Sequence, residues 1–215
     1  MNSPEAGIPD ANKHRRYVPN SLLFQWHVTD RCNLRCAHCY QQERTGEDLP
    51  FHDLLRILGQ FTDLLDHWRV QCGRTVRGHV TVTGGEPFVR PDFPDLLDVL
   101  ATQRRRFSFA ILTNGTLIDA SMARRLRKLR PSFVQVSIEG GESTHDTIRG
   151  AGSFARTVAA IEILVQQGIR TFISFTAHRG NFQEFEHVAR LGRRLGVTRV
   201  WADRLIPQGS GSALK

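Results

Sequence analysis

Six runs rich in β-branched and aromatic residues alternate with five helical patterns along this chain, and that alternation leaves few architectures open. LLFQWHVT (22–29), HVTVT (79–83), FSFAILT (107–113), FVQVSI (133–138), IRTFISFTA (169–177) and VTRVWADRL (197–205) read as strands. Leu54, Leu58, Phe61, Leu65 and Trp68 recur at helical spacing over 51–69. Phe93, Leu96, Leu97 and Leu100 mark a second helix. Met122, Leu126 and Leu129 mark a third, which Pro131 ends. Val158, Ile161, Leu164 and Val165 mark a fourth, with Ser153 as its expected cap and Gly168 as its stop. Phe182, Phe185, Val188, Leu191 and Leu195 give the fifth. Such an alternation calls for right-handed crossovers and a mostly parallel sheet. A doubly wound open sheet and a partial βα barrel both satisfy it, and both place their chemistry at the C-terminal ends of the strands.

The unusual residues fall at those ends: three cysteines after the first strand, GGEP after the second, TNG after the third and SIEGG at the end of the fourth. Cys32, Cys36 and Cys39 lie in DRCNLRCAHCY, a C-x3-C-x2-C spacing. Thiolates ligate iron–sulfur clusters, and a four-iron cubane wants four ligands. Three local cysteines leave one iron open to a small molecule. A structural zinc completed by His38 or Cys72 is the competing reading, although zinc sites usually come as paired C-x2-C units. Cys72, remote in sequence, reads as a lone thiol. In Gly84-Gly85-Glu86-Pro87, two glycines permit close backbone approach and a carboxylate suits an ammonium group. An ordinary tight turn is the alternative.

Composition narrows the class of partner. With 40% apolar and 23% charged residues, the chain folds rather than staying disordered. No apolar run approaches a membrane span, and the polar first twenty residues lack a signal-peptide core, so the expectation is a cytoplasmic protein with reduced thiols. Lys and Arg number 29 against 21 Asp and Glu, a net charge of +8. Arg104–Arg106 and the run from Arg124 to Arg130 supply much of it, but no nucleic-acid reading motif accompanies them, and neither nucleic acid nor membrane is an expected partner.

DRCNLRCAHCY followed by VTGGEPFVRPD resembles the radical S-adenosylmethionine enzymes. LTNGTLID, VQVSIEGGESTHDTIRGAGSF and RLIPQGSG extend the similarity from Leu22 to Gly211, and the later segments resemble the subgroup that modifies peptides and proteins. That subgroup often carries a C-terminal extension with auxiliary clusters; no cysteine follows Cys72, so none is expected here. The resemblance implies an α/β fold, a partial (β/α)6 TIM-like barrel of mostly parallel strands. It implies a flexible segment at 1–20, a core at 21–208, and a tail at 209–215 that stops as if a neighbouring domain followed.

It further implies that Cys32, Cys36 and Cys39 hold a [4Fe-4S] cluster and that S-adenosylmethionine chelates the open iron. Gly84, Gly85, Glu86 and Pro87 correspond to the motif that meets the cofactor's amino group. Ser137 corresponds to a contact with its ribose or methionine portion, and Arg149 to an arginine that pairs with its carboxylate. His38 stands where an aromatic packs near the adenine. Asn114 is a further cofactor candidate, and Leu205 is placed to offer backbone contacts to the adenine. Glu139 replaces an aspartate of the family pattern, strand five lacks a glycine-rich adenine motif, and His145 and Asp146 read as local scaffold.

The implied chemistry is reductive cleavage of S-adenosylmethionine to a 5′-deoxyadenosyl radical that abstracts hydrogen from a substrate. The catalytic residues beyond the cofactor set are not specified. The expected substrate is a ribosomally made peptide or protein, and the expected electron donor a flavodoxin or ferredoxin. Tetrapyrrole or cofactor maturation acting on a small-molecule substrate is the alternative, and a non-catalytic or truncated cofactor-binding core is a second.

Overall fold

The computed structural model describes residues 19–41 and 47–214. The expected flexible segment 1–20 lies almost wholly outside them. Six strands form one sheet: β1 (Ser21–His27), β2 (Arg77–Thr83), β3 (Phe107–Thr113), β4 (Val134–Ser137), β5 (Thr171–Ala177) and β6 (Arg199–Arg204). Every neighbouring pair is parallel, and the spatial order follows the chain, β1-β2-β3-β4-β5-β6. A doubly wound sheet reverses direction at a switch point. Here no reversal occurs, so right-handed crossovers put all the helices on one face and the sheet curls. Two contacts that skip a strand register the curl. His79 of β2 stacks on Phe133, at the foot of β4, with centroids 6.0 Å apart. Trp201 of β6 donates from Nε1 to Gln135 Oε1 of β4 at 3.0 Å. In a flat sheet, backbones two strands apart are separated by about 9.6 Å and their side chains run parallel. The result is an α/β half-barrel, with β1 and β6 as its two open edges.

Six helices cover the outside: α1 (Phe51–Cys72), α2 (Phe93–Thr102), α3 (Ala120–Leu129), α4 (Glu142–Arg149), α5 (Ser153–Gln166) and α6 (Phe185–Leu195). The core lies between them and the sheet. Leu54, Leu58, Leu65, Leu96, Leu97, Leu100, Leu126, Ile161 and Leu164 pack in one cluster with Val80, Val82, Ile111, Val134, Val136 and Ile173 of the strands. Burying each such side chain is worth about 1.5–3 kcal/mol. The helix α1 runs past its expected end at Arg69, to Cys72, because Gly73 supplies the left-handed stop (φ 62°).

The short helix α4 has no counterpart among the sequence expectations; ESTHDTIR is polar and too short to show a period. It changes how α5 begins. Ser153 is the first residue of α5 rather than its cap, and the Asp146 carboxylate of α4 accepts from the backbone N–H groups of Gly152 and Phe154 at 2.6 and 2.8 Å. Asp146 therefore serves as scaffold, as its sequence context suggests. A 3₁₀ turn over Gly209–Ala213 packs on the cysteine loop, with Gly211 N donating to Cys39 O at 3.2 Å.

Candidate functional site

Along β4 and β5 the side chains alternate between two faces. Val134, Val136, Ile173 and Phe175 belong to the core, whereas Gln135, Ser137, Ser174 and Thr176 line a cavity of about 540 Å³ on the concave side. These polar residues, interleaved with aliphatic ones, are a sequence signal for an interior that is wet rather than packed. All six strands or the loops that follow them contribute to the cavity wall.

The cysteine loop closes one side. Cys32, Cys36 and Cys39 all line the cavity, Cys36 buried and the other two half-buried, and none forms a disulfide. Burial pushes the Cys36 thiol up from its ordinary pKa, while the Arg149 guanidinium pulls it the other way. Arg149 Nη1 sits 3.9 Å from Cys36 Sγ, and Asn114 Nδ2 sits 3.9 Å from Cys32 Sγ. Cys72, at the end of α1, is not part of the cavity wall.

Gly84 and Gly85 line the cavity, and their need for glycine comes from the cysteine loop itself. A Cβ on Gly84 would lie 2.3 Å from Thr29 O, and one on Gly85 would lie 2.2 Å from Arg31 O. Gly85 N donates to Thr29 O at 2.7 Å and Glu86 N to Arg31 O at 2.8 Å, so the strand ladder continues into the residues that precede Cys32. The double glycine positions the thiol loop.

Glu86 is placed differently from the reading that gave its carboxylate to an ammonium group. It is fully buried and does not line the cavity, nor does Pro87. Its oxygens accept from Thr113 Oγ1 (2.8 Å), Asn114 N (2.7 Å) and Phe88 N (3.2 Å), which ties β2 to the end of β3. Burial raises its pKa to about 7, outweighing those donors and the Arg149 charge, all of which lower it.

The fully buried Glu139 has the opposite balance. Burial alone would raise its pKa, but Arg149 and His38 outweigh that and hold it at about 2. Arg149 donates from Nε (3.0 Å) and Nη2 (2.5 Å) to Glu139 Oε1, and His38 Nε2 lies 3.3 Å from the same oxygen. Glu139 Oε2 accepts from Thr176 N at 2.8 Å, so this carboxylate braces β4 to β5. His145 Nδ1 accepts from Glu139 N at 3.2 Å, and burial, then Arg149, lowers its pKa to about 4. It is neutral scaffold.

Ser137, Asn114, His38, Arg149 and Leu205 all line the cavity. Asn33, which sequence reasoning did not single out, accepts from Asn114 Nδ2 at 2.9 Å and so ties the cysteine loop to the end of β3.

The donor set fits an iron–sulfur cluster better than a single ion. Among the described residues no three His, Cys, Asp or Glu side chains converge as a mononuclear site requires. Three thiols instead share one loop on the wall of a cavity within the ~300–1,000 Å³ range of small-molecule sites. The buried Nδ1 of His38, without a partner among the described residues, adds an unused polar atom to that wall.

A family model described as "Radical SAM superfamily" matches residues 26–192. The chain belongs to that superfamily. Radical SAM proteins use a [4Fe-4S] cluster and S-adenosylmethionine, and their members are enzymes. Mycofactocin maturase MftC of Mycobacterium ulcerans is 34% identical over 89% of this chain and 49% of its own length. Fe-coproporphyrin III synthase of Methanosarcina barkeri is 31% identical over 88% of the chain and 45% of its own length. This radical SAM chain thus spans about half the length of the curated relatives it matches. Streptococcus suis SuiB, solved bound to precursor peptide SuiA, superposes with a TM-score of 0.68 at 18% identity, over 87% of this chain and 40% of SuiB, and so shares the fold. No helix among the described residues is long and apolar enough to cross a membrane.

Proposed function

We propose that the chain is the catalytic core of a radical SAM enzyme acting on a ribosomally synthesised peptide or protein. The observation that carries the reading is the placement of Cys32, Cys36 and Cys39 on the wall of one polar cavity at the C-terminal end of the half-barrel. Their thiolates would hold three irons of the cluster and leave the fourth open to the amine and carboxylate of S-adenosylmethionine. When bound, the pair supplies a one-electron reductive cleavage of the sulfonium C–S bond and a carbon-centred radical able to take hydrogen from an unactivated C–H bond.

The remaining work belongs to the protein. Gly84 and Gly85 hold the thiol loop against the end of β2. Asn114 and Arg149 offer N–H groups toward Cys32 and Cys36, and hydrogen bonds to sulfur tune a cluster's potential. Arg149, already paired with Glu139, presents a compensated guanidinium to the cofactor carboxylate rather than a free cation. Ser137, Gln135 and Ser174 give the wall hydroxyl and amide groups suited to a ribose. Leu205 gives that wall an apolar flank.

The peptide assignment is supported by the peptide-modifying character of the SIEGG–HDTIRG region and by the maturase among the relatives. The tetrapyrrole synthase, of similar identity, keeps porphyrin maturation as a second reading. A flavodoxin or ferredoxin in a reducing cytoplasm is the proposed electron donor.

The test is anaerobic reconstitution with iron and sulfide, then dithionite and S-adenosylmethionine, with 5′-deoxyadenosine as the readout. Native protein should form it and the Cys36→Ala variant should not. A Cys36→Ala protein with an intact [4Fe-4S] spectrum and full cleavage would overturn the assignment.

A further inference from the structure

A second cavity, of about 480 Å³, opens at the C-terminal ends of β5 and β6, beside the first, and shares Arg204 and Leu205 with it. Its wall has two kinds of surface. Phe182, Leu205 and Leu214 are apolar, and Phe182 is 56% exposed. Arg179, Arg204 and His178 are basic or donating, and among the described residues no Asp or Glu lines it. Neither the Arg179 nor the Arg204 guanidinium makes an ion pair or hydrogen bond with any described residue. His178 Nδ1 accepts from Gly180 N at 3.1 Å, which fixes the proton on Nε2, and that buried N–H has no partner among the described residues. Two guanidinium groups without a partner among the described residues, set beside apolar walls, match an anion carried on an apolar body.

We propose that this second cavity anchors a carboxylate of the substrate, with Arg179 and Arg204 receiving the anion and Phe182, Leu205 and Leu214 receiving the apolar body that carries it. The inference rests on the radical SAM reading and refines it. A guanidinium matches a carboxylate in plane and in charge, so the acid, not its neutral derivative, is the ligand. Because Arg204 and Leu205 belong to both cavities, an acid group held here places the adjoining carbon skeleton beside the thiol loop, where position decides which C–H bond is taken. The free C-terminus of a peptide ending in an apolar residue and a propionate of a porphyrin present the same chemistry.

Binding to the whole chain tests it without turnover. The probes are N-acetyl-leucyl-phenylalanine against its C-terminal amide, and coproporphyrin III against its tetramethyl ester, followed by equilibrium dialysis at low salt. At least one acid should bind about tenfold or more tighter than its neutral partner, a difference of ~1.4 kcal/mol. That preference should fade with rising ionic strength. Arg179→Gln, an exposed substitution that breaks no contact, should remove most of it, and Arg179→Lys should retain part.

Preference for the peptide acid alone, or for the porphyrin acid alone, supports the site and names its source. Equal binding of acid and neutral forms in both pairs, or an Arg179→Gln, Arg204→Gln double variant that keeps the preference, overturns it. The 5′-deoxyadenosine assay on the same preparation separates the two levels. Cleavage without acid preference removes only this site, whereas acid preference without cleavage removes the proposed catalytic core and leaves the anion site standing.

Discussion

The concave face of the half-barrel has two ends, and they are built on opposite rules. At the C-terminal end the strands offer Gln135, Ser137, Ser174 and Thr176 to an open cavity walled by three thiols. At the N-terminal end the same strands, two residues earlier, offer rings. His79 stacks on Phe133, Phe133 stacks on Phe172 at 4.5 Å with planes 12° apart, and Arg199 lies over Phe172 at 5.2 Å. His79 Nδ1 is within 2.7 Å of Ser108 Oγ. One alternation, continued along a strand, therefore closes the floor with aromatic packing and leaves the ceiling polar. Rings pack together at one end, and polar groups and thiols face a cavity at the other.

Substitutions at the two ends should separate these properties. The largest effect is expected from Cys36→Ala at the open end: complete loss of cluster incorporation, read as iron and sulfide per chain, with the thermal unfolding of the metal-free protein little changed. Next is Arg149→Ala, which leaves the buried Glu139 without its cation; loss of one partner of a buried pair costs about 3–5 kcal/mol, measurable by urea unfolding. This is the one open-end change expected to damage fold and site together. Phe172→Ala, at the closed end, should cost about 3 kcal/mol by cavity formation while iron content stays at the native level. Equal loss of iron in Phe172→Ala would break the division between the ends.

A smaller effect is a pH dependence of opposite sign in two strand-end carboxylates. Glu86, whose pKa is raised to about 7, binds its proton more tightly folded than unfolded, so its contribution to stability falls as pH rises from about 4.5 to 7. Glu139, held at about 2, contributes stability above about 4.5 that is lost as pH falls toward 2. Urea unfolding across about pH 3–8 should show both slopes, and Glu86→Gln should flatten the upper one only. The smallest change is at the surface, where Arg190→Ala removes an exposed pair with Glu186 and should cost no more than ~0.5 kcal/mol.

Much of the fold was legible because the strands and long helices are periodic. β3 matches its expected span residue for residue, and Gly168 ends α5 in a left-handed conformation, as expected. The choice between a doubly wound sheet and a barrel was not legible from periodicity, since both use the same local units; strand order decided it. Helix α4 escaped because its eight residues hold one aliphatic side chain, Ile148, and so show no period. At the site, the cysteines and the double glycine were readable from spacing. The roles of Glu86 and Glu139 were not, because a motif identifies a carboxylate without telling whether it faces a cavity or a neighbouring strand. Only the positions of Thr113 and Arg149 in space distinguish the two.

The 3₁₀ turn at Gly209–Ala213 lies against the cysteine loop so closely that a Cβ on Gly209 would meet Cys39 O and Tyr40 O at 2.6 Å. The ribosome delivers the thiols just after the first strand and that turn about 170 residues later; at roughly 5–20 residues per second this is an interval on the order of ten seconds or more. Through it the nascent chain carries three thiols with that covering still unmade. The order of strands that makes the half-barrel simple to assemble thus also sets a window in which the loop is open to cluster loading and to oxidation alike.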